Sequence, residues 1–342
     1  EVGNMLDGYK SGTTWLIFTA FTLSSAFVIT GLGKRIAYHM IGAMGSTTLR
    51  LGYVTMFLDL LLSPATPSNT ARSGGIIFPI INSVAVALGS DPEKSPKKAG
   101  RYLMMNVYMV VKTTSYIFLT AMAPNALALS LMAPILGFET TWIKWFLAAS
   151  VPGLICLFLI PLICYWVSPP ELKEVDNKAI AKKGLEELGP MSFREKALSV
   201  LFVIALFGWI FSDTLHVNAT IVAIIVMVLC IMLSIVTWDD ILKSKGAWNT
   251  LVWYGGIIGM SGLLEKAGFF KWLANTLSTT LQFEGHGMMA LIVILTLSVA
   301  VRYLFASGGA YVAAMVPVFA TVGHVAGAPA ELLALGLSLI HI

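Results

Sequence analysis

The chain has 342 residues, of which 57% are hydrophobic and only 12% charged, and its mean hydropathy is +0.82. Soluble domains carry about a quarter charged residues, so an ordinary water-soluble fold is excluded and a polytopic membrane protein is indicated. The net charge of +4 is modest and its basic residues fall in short loops, which suits a topology signal and implies no nucleic acid.

The chain opens in a polar run, 1–14, without an initiating Met, and reads as an internal piece of something longer. A first apolar span covers 15–32, followed by Gly33-Lys34-Arg35 and a short polar join through Arg50. Residues 51–88 read as a re-entrant hairpin. Two apolar runs, 51–62 and 76–88, flank the insert Ser63-Pro64-Ala65-Thr66-Pro67-Ser68-Asn69-Thr70-Ala71-Arg72-Ser73-Gly74-Gly75. A membrane helix needs about 20 apolar residues, and neither run has them. Pro64 and Pro67 each remove a backbone donor, and Gly74 and Gly75 admit positive φ, so the chain is expected to unwind here with its tip at Ser68-Asn69-Thr70. Irregular backbone survives at membrane depth only where protein or a water-filled cavity satisfies it. The tip is therefore a candidate site: hydroxyl and amide donors suit a carboxylate, and freed oxygens suit a hard cation. An ordinary loop of turn formers would have the same composition.

Residues 90–101 carry Lys94, Lys97, Lys98 and Arg101. A hairpin returns to the side it left, so this cluster shares a face with Lys34, Arg35 and Arg50, cytoplasmic by the positive-inside rule. The run 102–135 is too long for one plain helix and is interrupted at Ala123-Pro124-Asn125, which predicts a discontinuous helix crossing outward. Residues 137–141 form an outer loop, and 142–167 return. The hydrophilic stretch 168–196 reads as a cytoplasmic, partly helical linker, a solvated connection between two halves. Spans at 197–212 and 221–236 are joined by the polar turn 213–219. Lys243 and Lys245 mark an inner loop, and 248–264 exits, leaving Lys266 and Lys271 outside against the charge rule. Residues 288–305, Ser307-Gly308-Gly309-Ala310-Tyr311 and 312–322 form a second hairpin. The last six residues, 337–342, resemble the translated end of a sequencing adapter and are expected to be non-native.

Trp15, Gly33, Ser68 and Pro79 recur in order, at similar spacing, as Trp248, Gly268, Ser307 and Pro317. The expected organisation is a first repeat at 1–167, the linker at 168–196, and a second, incomplete repeat at 197–336 that enters from the opposite side. The fold class is thus an all-α polytopic membrane protein of inverted-topology repeats, each with a re-entrant hairpin and a broken helix, the second half truncated. That is the pattern of a secondary transporter with its site near the midplane. An ion channel can also use a re-entrant loop, but needs no inverted repeats with two dissimilar tips. Four ionisable residues fall inside apolar segments, where a charge is by default functional and needs a partner. Asp59 is expected to pair with Lys112, either as a structural ion pair or with Lys112, Arg72 or Arg302 supplying positive charge to a dianion. Cys156, Cys164 and Cys230 lie in apolar runs and read as packed thiols. His39, His216, His286 and His324 are scattered without catalytic spacing, so neither an enzyme nor a cofactor is expected.

At Thr30-Gly31-Leu32-Gly33-Lys34-Arg35-Ile36-Ala37, Pro67 through Gly75, Ala121-Met122-Ala123-Pro124-Asn125 and Arg302-Tyr303-Leu304-Phe305-Ala306-Ser307 the chain resembles the divalent anion:sodium symporters. Within that family it is similar to the branch of bacterial citrate and malate carriers and plastid 2-oxoglutarate/malate translocators. The resemblance implies a carrier of malate, 2-oxoglutarate, succinate or citrate in the bacterial inner membrane, a homodimer working by elevator-type alternating access, as sodium symporter or exchanger; another organic or inorganic anion is the alternative. It implies that Ser68, Asn69 and Thr70 hold one substrate carboxylate, that Ser68, Asn69 and the backbone near Ala121 frame a sodium site, and that Asn125 lines the same cavity. Ser307, Gly308 and Gly309 stand where many members have a second Ser-Asn-Thr, which loses the amide and one hydroxyl from the second contact. With fixed charge at Lys112 and Arg302, the expected mode is exchange with weak or single-sodium dependence.

Overall fold

The computed structural model describes residues 3, 6–280 and 287–340; Glu284, His286 and the last two residues lie outside them. Among the described residues every regular element is helical. In order these are α1 (Gly12–Thr30), α2 (Leu32–Met44), α3 (Thr48–Leu62), α4 (Thr70–Ala87), α5 (Gly100–Ile117), α6 (Ala123–Leu136), α7 (Trp142–Val167) and α8 (Asn177–Leu188). They are followed by α9 (Phe193–Ile210), α10 (Ala219–Met232), α11 (Trp238–Lys243), α12 (Lys245–Lys266), α13 (Phe269–Thr280), α14 (Gly287–Arg302), α15 (Gly308–Val325) and α16 (Ala330–Ile340). Four of them, α1, α4, α7 and α15, are long and apolar enough to cross a membrane.

The first hairpin is α3 and α4. Thr47 caps α3 by accepting from the Arg50 amide. The helix tightens to a single 3-10 turn at Ser63–Ala65 and opens at Thr66, which is extended at φ −131°, ψ 91°. Pro67 drives this, because a proline ring clashes with an α-conformation in the residue before it. Gly74 and Gly75 do not open the chain as expected: both lie inside α4, whose first turns have the wide π pattern, with no positive φ. Glycine weakens a helix by about 1 kcal/mol relative to Ala without forbidding it. Both feet of the hairpin return to one end of the molecule. The Thr48 amide donates to the Lys173 carbonyl at 3.0 Å, and the Leu172 amide donates to the Lys98 carbonyl, in the loop between α4 and α5, at 2.9 Å.

Most residues of 168–196 are exposed, as in a solvated connection, and those bonds also tie the stretch to the bundle. The linker is docked. Asn177 donates from Nδ2 to the Ile41 and Gly42 carbonyls at 2.9 and 2.8 Å, and a Cβ on Gly184 would stand 2.3 Å from Tyr38. The buried Arg35 guanidinium meets Glu195 at 2.6 Å. What receives the linker is α2, an amphipathic helix where a short polar join was expected: Leu32, Arg35, Ala37 and Ile41 are buried while Lys34 and His39 are exposed. The broken helix is α5 and α6, and its break lies at 118–122, ahead of Ala123-Pro124-Asn125. Pro124 occupies the first turn of α6, where its missing N–H would have had no helical partner anyway.

The second half repeats the order of the first. Helix, glycine joint, amphipathic helix, hairpin and helix are α1, Gly31, α2, α3/α4 and α5, and then α12, Gly268, α13, α14/α15 and α16. Both joints are left-handed, at φ 77° and 76°, so the counterpart of Gly268 is Gly31. Gly33, the position first matched to it, is a buried helical residue whose Cβ would strike Ile76. The halves are inverted: α12 ends where Lys266 reaches Asp7, just ahead of α1, at 3.6 Å, whereas α1 ends beside Leu188 at the linker. Asp7 also offsets the out-of-place charge of Lys266. One hydrophobic cluster joins α1–α5, α7, α9 and α10, and a second joins α6 to α14–α16. Leu147, Val151, Ile155, Phe158 and Trp166 leave an apolar face of α7 exposed, as a bilayer requires.

Candidate functional site at the first hairpin tip

The tip is organised by Arg72, which is 0% exposed. Its Nε donates to Asp59 Oδ1 at 2.9 Å, and that pair lies within α3/α4. Nη1 donates to the Thr66 and Ala121 carbonyls at 2.9 and 3.1 Å. Nη2 donates to Asn69 Oδ1 and Thr114 Oγ1 at 3.3 and 3.1 Å. Thr114 also donates to Asp59 Oδ2. One guanidinium thus ties the hairpin tip to α5 and to the break that follows it, and the Ala123 amide of α6 adds a backbone bond to the Pro67 carbonyl at 2.9 Å. A buried cation is stable only if paired and fully hydrogen-bonded; here carboxylate, carbonyl, amide and hydroxyl oxygens supply both.

The expected pairing of Asp59 with Lys112 is therefore incorrect. Lys112 lies half-buried with its ammonium 5.6 Å from the Tyr108 ring centroid, while Arg72, one hairpin turn away from Asp59, has the fork geometry that a carboxylate accepts.

The three tip residues are more accessible than Arg72 beneath them. Ser68 and Asn69 are half-buried and Thr70 is exposed. Ser68 Oγ accepts from the Ala71 amide at 3.2 Å, leaving its own proton to donate. Asn69 has its carbonyl oxygen committed to Arg72 and to Ser115 Oγ (2.7 Å), whereas its Nδ2 meets only the Met122 sulfur at 4.0 Å. This polarity points the donor end of the amide away from the hub. Asn125 is fully buried; its Nδ2 caps the frayed end of α5 at the Ser115 and Phe118 carbonyls, 2.8 and 3.1 Å away, and its Oδ1 has no partner. Thr66, Thr114 and Ser115 went unremarked in the sequence, although three consecutive hydroxyls at 113–115 within an apolar helix are a visible signal.

The second tip is built differently. Ser307 accepts from the Ala310 amide at 3.1 Å as the N-cap of α15, and Tyr303 and Leu304 are more than four-fifths exposed. Arg302 donates to the Phe305 carbonyl at 2.9 Å and lies 5.9 Å from the centroid of the Tyr311 ring. A Cβ on Gly309 would stand 3.3 Å from the Tyr254 hydroxyl, a donor near this tip that spacing alone did not suggest. Ser68 and Thr70 line a cavity of about 460 Å³ that Ser307, Gly308 and Gly309 do not reach. A separate cavity of about 410 Å³ lies around Glu139, Thr141, Asp213 and Thr220 at the other end of α1; its two carboxylates make it unsuited to an anion.

A family profile described as the sodium:sulfate symporter transmembrane region matches residues 1–341. A Haemophilus influenzae transporter is 96% identical over 337 residues, which cover 98% of this chain and 70% of that protein. The inner membrane protein YbhI of Escherichia coli K12 is 62% identical over 97% of this chain and 70% of its own length. The citrate/succinate antiporter of the same strain is 37% identical over 98% and 69%. In fold, the chain matches the crystal structure of the Alcanivorax borkumensis YdaH transporter with a TM-score of 0.61 at 13% identity, covering 99% of this chain and 75% of that one.

Proposed function

The chain belongs to the sodium:sulfate symporter family, as a multi-pass inner-membrane transporter and not an enzyme, and from that premise we propose that it carries di- or tricarboxylates such as malate, 2-oxoglutarate, succinate or citrate. The observation that carries this reading is the polarity of the first tip. Ser68 and Thr70 present hydroxyls to the cavity, and the acceptor oxygen of Asn69 is held by Arg72 and Ser115 while its Nδ2 has only a weak contact to the Met122 sulfur. A tip whose amide oxygen is already engaged, and whose free amide and hydroxyl groups can donate, suits an oxyanion. The names of the relatives as dicarboxylate carriers and antiporters support the same class.

We further propose exchange of one carboxylate for another, with weak or single-sodium dependence. Hard cations take several oxygen ligands, and at this tip the Ala121 carbonyl and Asn69 Oδ1 already accept from Arg72. A sodium at Ser68, Asn69 and Ala121 would have to share them with a fixed cation. Asp59 balances Arg72 in the empty carrier, so we assign the compensation of a dianion's charge to Lys112 and Arg302, with any coupled sodium binding alongside them. The reading of movement is elevator-type: tip and broken helix are laced into one body that can travel as a unit. A homodimer in the bilayer and two inverted repeats at 1–167 and 197–336 complete the proposal. The test is uptake of labelled malate or succinate into proteoliposomes with and without internal dicarboxylate, at varied sodium. Uptake that requires internal dicarboxylate and changes little with sodium is expected. Strong uptake into empty vesicles, rising with more than one sodium per substrate, refutes exchange.

A further inference from the structure

An apolar groove of about 660 Å³ runs beside the first hairpin, between α3 on one side and α7 and α9 on the other, with the end of α2 against it. Every side chain that lines it is apolar, and the one polar atom among them, the Trp142 indole N–H, already donates to Thr120 Oγ1 at 3.0 Å. Met44, Leu61 and Ile210 on its walls are 41%, 40% and 41% exposed, so the groove opens sideways out of the bundle. Its direction follows from α3. Phe57, Leu61 and Pro64 lie on the groove at helical spacing, and Arg50 stands on the same face, two turns ahead of Phe57. Met44 joins α3 through 45–47 alone, so α2 marks the Arg50 end. From Arg50 to Pro64 the helical rise is about 21 Å. That is the depth of one leaflet from headgroup to midplane, half of about 40–45 Å. Arg50 is exposed and enters no ion pair among the described residues; Glu174, bridged by its backbone to Thr47, does not meet it. Its Nη1 donates to Ser46 Oγ at 2.7 Å, which leaves Nε and Nη2 for an anion.

We propose that the groove is a glycerophospholipid site, with one acyl chain lying along α3 and the phosphate on Arg50. An acyl chain suits a lining that makes no polar demand, and a guanidinium fork at headgroup depth suits a phosphate. The far end of the chain meets Pro64 and Phe118, where the hairpin and the broken helix open. Thr66 and Ala121, whose carbonyls accept from Arg72, follow within two and three residues. A bound lipid therefore braces the Arg72 hub from the membrane side. The inference does not depend on which anion is carried.

The experiment measures lipid retention by native mass spectrometry, and melting temperature in mild detergent, with phosphatidylglycerol and with diacylglycerol of the same chains. It compares the purified full chain with Arg50→Gln, Arg50→Lys and Leu61→Trp. Wild-type protein is expected to retain phosphatidylglycerol in preference to diacylglycerol and to melt higher with it. Arg50→Gln should weaken phosphatidylglycerol about tenfold, the loss of one charge-assisted hydrogen bond at a solvent-open site, and leave diacylglycerol unchanged. Arg50→Lys should keep part of the preference, as a point charge without the fork. Leu61→Trp fills the groove from an exposed position, so it should lose both lipids and the gain in melting temperature; Met44→Trp takes its place if that variant does not fold. Wild-type protein without the preference, or a filled groove that retains phosphatidylglycerol like wild type, refutes the site. A dimer that dissociates on Leu61→Trp with lipid retention unchanged shows a second copy in the groove and refutes it as well.

Discussion

Replacing Arg72 by Met removes the guanidinium and leaves the Asp59 carboxylate, 1% exposed, with Thr114 as its remaining partner. Deleting one member of a buried pair costs about 3–5 kcal/mol, because the survivor stays charged and desolvated. The Thr66 and Ala121 carbonyls and Asn69 Oδ1 lose a donor in the same step. Asn69 Oδ1 would then keep only its bond from Ser115, so the tip should lose substrate affinity as well as stability. Asp59→Leu alone should cost a similar amount, leaving an uncompensated cation. The double variant is the informative one: replacing both charges by apolar side chains of similar volume is often near neutral, so its stability should recover to within about 1–2 kcal/mol of wild type while transport stays low. The assay is unfolding in mixed micelles followed by tryptophan fluorescence, in parallel with succinate binding. Lys112→Met serves as control; a half-exposed cation over Tyr108 is worth about 0.5–1 kcal/mol. Should Lys112→Met destabilise as much as Arg72→Met, or the double variant fall as far as the sum of the singles, the hub is not the pair described.

Asn69→Ala removes one charge-assisted hydrogen bond to a carboxylate, worth about 1.5–3 kcal/mol, so a 10- to 150-fold loss of dicarboxylate affinity is expected; unchanged affinity in well-folded protein would rule out the tip. Asn177→Ala deletes both side-chain bonds to α2 and should loosen 168–196 by about 1–3 kcal/mol, read as faster proteolytic cleavage in that stretch; unchanged protection would mean the linker docks by other contacts. With the exposed Cys156 replaced, cysteines at Lys97 and Lys182 should react with an impermeant maleimide from one membrane face and a cysteine at Glu139 from the other. Labelling of Lys34 and Lys97 positions from opposite faces would show that the first hairpin crosses the bilayer.

Composition alone determined that this chain lies in a membrane, because nothing can hydrate so apolar a sequence as a soluble fold. Proline placement determined where the first hairpin opens, since the lost donor and the clash with the preceding residue are local effects that need no partner. The permissiveness of Gly74 and Gly75 determined nothing: glycine allows a break without requiring one, and the surrounding helix prevailed. The amphipathic character of α2 was legible too, in Leu32, Ala37 and Ile41 against Lys34 and His39, although three basic residues made it look like a loop. Which charge Asp59 meets was decided only by tertiary structure. Arg72 and Lys112 are both compatible with it in sequence, and the choice depends on the distance and direction set when α3 folds back on α4. The docking of the linker on α2, and the tie that Arg72 makes between the first tip and the break in α5/α6, likewise come from packing between segments remote in sequence. No local propensity encodes them, because each partner is stabilised only once the other is in place.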